Sequence, residues 1–233
     1  MITIEPTHDD IAVEADGHIP DGIESPPRRP RRLRWKILAA VGALAAVAGG
    51  AIGVDHANNS SHHSTRSFVE PITRLDVDIS AGSVRVVGGS ASTFTVDVTT
   101  HGGLRRPSHG ELVVGDHLLL RSDCDFNLIA PTCSTDYVVH VPANIAIAVD
   151  SDGADVDLRF AAAPHSVEID ANGGDIDIVV PNDAETYNVD SETNGGSTDV
   201  DVRTDRESPN HIDISSNGGD IDVRYPSEQH EAG

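Results

Sequence analysis

The chain has 233 residues and a formal net charge of -22, with 38 Asp and Glu against 16 Lys and Arg, and only 3% of its residues are aromatic. So acidic a surface repels nucleic-acid phosphates and excludes a nucleic-acid partner, leaving cations and basic partners as the chemically compatible ligands. The charge does not imply disorder throughout, because the second half carries a regular apolar alternation that acidic tails lack.

Residues 1–36 have no sustained period of 3.6 or 2 and read as a disordered tail. The tail ends in RRPRRLRWK, with Arg28, Arg29, Arg31, Arg32, Arg34 and Lys36. The next 18 residues, 37–54, are uncharged and apolar. As a helix they would rise about 27 Å, close to the thickness of a bilayer's hydrocarbon core. A transmembrane helix is therefore predicted over 37–54. The basic block beside it places residues 1–36 in the cytoplasm and everything beyond residue 54 outside. A cleaved signal peptide is the nearest rival, and Gly49 and Gly53 form a GxxxG pair that would suit an anchor-helix dimer. Residues 55–70 read as a polar linker, in which His62 and His63 are either metal contacts or simply solvated.

Residues 71–226 read as a β-repeat ectodomain, and 227–233 as a second disordered tail. The two cysteines, Cys124 and Cys133, stand nine positions apart in this part. An external location permits a disulfide between them, which would contribute roughly 2–3 kcal/mol by restricting the unfolded chain. Neither a second cysteine pair for structural zinc nor a redox CxxC is present.

The repeat is most regular in AVDSDGADVDLRF (148–160), EIDANGGDIDIVV (168–180), VDSETNGGSTDVDV (189–202) and DISSNGGDIDVRY (213–225). A weaker relative, LDVDISAGSVRVV, occupies 75–87. In each, an alternating strand meets a Gly/Asn turn, where positive φ costs little, and a second short strand follows. The apolar pairs Val156/Leu158, Ile176/Ile178, Val200/Val202 and Ile221/Val223 share one face. Asp155/Asp157, Asp175/Asp177, Asp199/Asp201 and Asp220/Asp222 share the other. Prolines 142, 164, 181, 209 and 226 mark corners, since proline cannot donate a ladder hydrogen bond.

Two all-β architectures satisfy this grammar. Asn-Gly turns between alternating runs suit hairpins, and hence an antiparallel β-sandwich. Equivalent turns recurring at about 22 residues favour a β-helix-like solenoid of about 22-residue coils, which is the expected fold.

Stacked in register, Asp157, Asp177, Asp201 and Asp222 would form one outward column, and Asp155, Asp175, Asp199 and Asp220 another. Like charges directly opposed destabilise a sheet, and calcium, with its oxygen ligands, would relieve them. A solvated acidic face is the alternative. The carboxylates look equivalent, whereas a catalytic pair needs unlike environments in one asymmetric pocket. No nucleophile elbow, phosphate loop or dinucleotide fingerprint is present. No catalytic or cofactor-binding residue is expected, and the chain reads as a protein that is not an enzyme.

The stretch CDFNLIAPTCSTDYVVHVPANIAIAVDSDGADVDLRF, followed by NGGDIDI, resembles the DUF4097 adhesin family of bacterial proteins over roughly residues 70–225. The Ala-rich 37–54 segment and the cysteine pair resemble its actinobacterial, membrane-anchored members. The resemblance implies a single-pass protein of the bacterial cell membrane, its C-terminal domain acting outside as an adhesin-like binding or scaffold module. The implied partner is an envelope protein or glycan. An envelope-sensing ectodomain and a polysaccharide-acting β-helix enzyme are the alternative functions.

Overall fold

The computed structural model describes residues 60–103, 106–124, 133–183 and 185–227. Every regular element is a strand: β1 (Ser60–Phe68), β2 (Arg74–Ile79), β3 (Gly82–Gly102), β4 (Ser108–Val114), β5 (His117–Asp123), β6 (Cys133–Pro142), β7 (Ala146–Ser151), β8 (Ala154–Phe160), β9 (Ser166–Ala171), β10 (Ile176–Val179), β11 (Asn188–Thr193), β12 (Thr198–Asp201), β13 (His211–Ser216) and β14 (Ile221–Arg224).

Among the described residues there is no helix, and so none long and apolar enough to cross a membrane. This corrects the reading of a β-repeat behind one transmembrane helix, together with the anchor-helix dimer and the single-pass location drawn from it. The 37–54 segment itself lies outside the described residues. The polar linker is also corrected in part. Ser60–Phe68 pairs along its whole length with the second arm of β3, from Ser60 opposite Gly102 to Phe68 opposite Phe94. Only Phe68 of this strand is buried, so backbone pairing rather than side-chain packing recruits a sequence that looks like a spacer.

The strands form two seven-stranded sheets. The first runs β1-β3-β8-β10-β14-β12, with β6 also against β3. The second runs β11-β13-β9-β7-β2-β5-β4. Each chain repeat supplies one strand to each sheet, turns at its Gly-rich corner and moves on, and the repeats join side by side in parallel. Antiparallel pairing is confined to one end of the stack. There β4 closes on β5, and β3 wraps β6: Gly82–Gly89 advance beside Thr135–Pro142, and Thr95–Gly102 return along His140–Cys133. The uniform coil expected from the repeat is thus corrected to mixed parallel and antiparallel sheets.

Sequence order and spatial order also differ. The six coils are 74–88, 117–142, 146–160, 166–179, 188–201 and 211–224 in the chain. In the stack, 117–142 precedes 74–88, and 211–224 precedes 188–201. Burial explains the second exchange. Ile212, Ile214, Ile221 and Val223 are all buried between neighbours. Their counterparts in the other coil are Val189, Ser191, Thr198 and Val200. The coil with polar inward residues takes the end, where one flank stays wet, as terminal repeats of stacked proteins do.

Inward columns fill the space between the sheets. Leu75, Ile147, Val167 and Ile212 stack in register on one side, and Val84, Val156, Ile176 and Ile221 on the other, each at most 2% exposed. At about 4.8 Å per strand, branched aliphatic side chains fill such columns without aromatic bulk.

Candidate functional site

The NGGD corner organises the aspartates first. Asp155 Oδ1 accepts the Asp175 N–H at 3.0 Å, and Asp175 Oδ1 accepts the Asp220 N–H at 3.0 Å. Asp220 Oδ1 accepts both the N–H and the hydroxyl of Ser197, at 2.7 and 2.9 Å. Each carboxylate therefore caps the backbone of the next coil. The Ser197 N–H, then its hydroxyl, hold Asp220 below the ordinary carboxylate pKa, because they stabilise the charged form.

Beside this runs an amide ladder. Asn172 Nδ2 donates to Asp152 at 3.0 Å, Asn217 Nδ2 to Asn172 at 2.8 Å, and Asn194 Nδ2 to Asn217 at 3.1 Å. The second glycine after it must be glycine. Gly219 has φ +88°, and a Cβ there would lie 1.9 Å from the Gly174 carbonyl oxygen. The repeated motif is thus a stacking corner: Asn for the ladder, Gly for the approach, Asp for the cap.

The second aspartate column is interleaved with arginines. Arg85 Nε donates to Asp157 at 2.9 Å. Arg159 lies between Asp157 and Asp177, at 2.9 and 3.3 Å. Arg224 grips Asp177 with two nitrogens at 2.6 and 2.9 Å and reaches Asp222 at 3.0 Å. Asp157 Oδ1 is buried without a hydrogen bond; Arg159 Nε is near it but off line, so the oxygen rests on charge attraction alone. This zipper was not foreseen, although part of its signal is in the sequence: Arg159 and Arg224 each stand two residues from an aspartate, on the same face of the strand, whereas Arg85 has Ser83 and Val87 at those positions.

The predicted columns change at the end coil. Asp199, not Asp201, lies opposite Asp222, while Asp201 faces Arg224 and Ser197 takes the corner position of the other aspartates. Asp222 adjoins Asp177, Asp199 and Asp201. Burial chiefly raises its pKa; Arg224 opposes the shift, and these three neighbours add to it. Among the described residues no group of three or more His, Cys, Asp or Glu is arranged to hold a metal ion. His63 instead contacts the Thr99 hydroxyl at 3.2 Å. Cys124 and Cys133 are joined as a disulfide, with Cα atoms 5.8 Å apart.

The outer face of the second sheet is different. A cleft of about 560 Å³ opens there across β4, β5, β2, β7 and β9. Leu112 and Leu119, directly opposed on β4 and β5, are 60% and 38% exposed. They and the small Ala148 give it apolar surface. Arg74 is bound to Asp76 at 2.7 Å, and Arg121 to Asp78 at 2.5 and 2.8 Å. Asp150 and Asp170 stand opposite each other in the ladder and line the same cleft. Sequence reasoning missed this surface. Its one signal is the run Leu118-Leu119-Leu120, which must turn a leucine outward in any strand.

Comparison with known proteins gives a family and a set of distant structures. The family model described as Toastrack DUF4097 matches residues 70–224. A candidate cell-adhesion protein from Clostridium sporogenes is 9% identical, with 72% of this chain and 100% of that one covered and a TM-score of 0.45. A candidate adhesin from Bacteroides fragilis is 16% identical, covering 70% and 98%, with a TM-score of 0.24. One from Parabacteroides merdae is 13% identical, covering 69% and 80%, with a TM-score of 0.28. A search of curated proteins returns no match.

Proposed function

The chain belongs to the Toastrack DUF4097 family, and from that premise we propose that it is a non-catalytic binding or scaffold module of adhesive type. One observation carries the reading. Most of the repeated aspartates are spent on the fold: Asp155, Asp175 and Asp220 cap neighbouring backbones, and Asp157, Asp177 and Asp222 sit in an arginine zipper. What remains is a regular pair of outer faces on a stack whose rows are fixed by register. Such a surface suits recognition, which needs fixed groups at fixed spacing.

The test immobilises the full chain on beads and exposes it to purified bacterial envelope protein and envelope glycan in turn. Saturable retention of one of them, with no new chain ends in the retained material, is the expected result. Cleavage of the glycan or protein, or the lack of any saturable retention, overturns the proposal.

A further inference from the structure

We propose that the cleft on the outer face of the second sheet docks a short cationic segment carrying a bulky apolar side chain. The inference rests on the binding-module reading and gives it a place and a partner chemistry.

The argument comes from the contrast between the two faces. On the first sheet, Asp157 and Asp177 are adjacent and share Arg159, and Asp177 and Asp222 are adjacent and share Arg224. Both of these pairs have a cation between their members; on this sheet only the end-coil pair Asp222 and Asp199 lacks one among the described residues. On the second sheet, Asp150 and Asp170 are likewise adjacent in register, yet no described basic side chain reaches either one. Opposed like charges cost stability, so a cation brought by a partner gains more here than on the zippered face. The two arginines in the cleft do not supply that cation, being held by Asp76 and Asp78. Glu168, also lining the cleft, has Arg74 only at 3.7 Å.

The apolar half of the partner follows from Leu112 and Leu119. These are among the few large apolar side chains left exposed in the described residues, and they line the same cleft as Asp150 and Asp170, with β2 between. A second copy of this chain fits poorly, since it would bring the same acidic row and a net charge of -22. A glycan also fits poorly, because no aromatic ring lines the cleft for a sugar face to stack on.

Fluorescence anisotropy of the full chain with a labelled peptide of alternating Lys and Leu tests the proposal, at about 150 mM salt so that long-range attraction is screened. An all-Lys peptide of equal charge is expected to bind about tenfold more weakly. Asp150→Asn with Asp170→Asn is expected to weaken the Lys/Leu peptide about tenfold, and Leu112→Ser about fivefold. Asp199→Asn with Asp201→Asn removes the same charge from the other sheet and is expected to change binding less than about twofold. Equal losses from both aspartate pairs, equal binding of the all-Lys peptide, or no binding of the Lys/Leu peptide each overturn the docking site. If the bead-bound chain still retains envelope material in such a case, the binding-module reading stands without this cleft; if it does not, both fall.

Discussion

Coils 188–201 and 211–224 share one grammar, NGG followed by an alternating strand, yet they play different parts. The later coil lies inside the stack and the earlier one forms its end. Inside, Ile221 is 1% exposed; at the end its register partner is Thr198, which is exposed. Asn217 both donates an amide bond and accepts one, whereas Asn194 only donates. The lesson is that a repeat motif fixes how a corner is built, while its inward residues fix where that corner stacks.

Breaking the corner should show the difference most strongly. Gly219→Ala combines a strained φ with a Cβ aimed at a carbonyl fixed between coils, and is expected to cost roughly 3–5 kcal/mol. Gly196→Ala makes a similar approach, 2.2 Å to the Gly219 oxygen. Its coil has no neighbour beyond it among the described residues and can shift, so about 1–3 kcal/mol is expected. Urea unfolding of the two variants checks the order, and equal costs would remove the distinction between inner and end coils.

Ile221→Ala is expected to cost about 2–5 kcal/mol by leaving a cavity between buried neighbours. Thr198→Ala, at the matching position of the end coil, should stay within about 1 kcal/mol. A smaller version of the same comparison lies in the amide ladder. Asn217→Ala loses two side-chain bonds and Asn194→Ala one, so about 1–2 and about 0.5–1 kcal/mol are expected from thermal or urea unfolding.

Acid titration separates two carboxylates of one coil. The Asp220 pKa is lowered from its ordinary 3.8, so its stabilisation is present above that value and lost as pH falls through the folded-state pKa. Asp222 is shifted the other way, so its contribution is present below 3.8 and lost as pH rises through the raised folded-state pKa. The acid limb of the stability–pH profile should therefore flatten in Asp220→Ala and steepen in Asp222→Asn. At neutral pH, Asp222→Asn is the smallest change, expected within about 1 kcal/mol and toward stabilisation, because relief from Asp177, Asp199 and Asp201 opposes the lost contact with Arg224. A loss of several kcal/mol there would mean that the Arg224 contact outweighs that repulsion.

Much of the corner was legible before the structure. The turns at Gly174, Gly196 and Gly219 were aligned by spacing, and each has positive φ. Ile176 and Ile178 point inward, as the alternation required. The same turn alignment already implied that Asp199 matches Asp222. Matching aspartates by their apolar neighbours instead paired Asp201 with Asp222, and the structure corrects it by two residues. The zipper was half legible: the spacing of Arg159 and Arg224 from their aspartates is local, but their reach to Asp177 crosses between coils.

By itself the sequence determined the period, the identity of each corner and which side chains face inward, because these follow from alternation and from the backbone freedom of glycine over a few neighbouring residues. Tertiary structure alone decided the order of the coils, the pairing of the polar Ser60–Phe68 strand, and the cleft that Leu112 shares with Asp150 and Asp170. These depend on which coils lie side by side. Any coil of this design offers the same backbone edges, so the choice among neighbours falls to burial: the Ile-rich coil is driven inward and the polar one is left at the end.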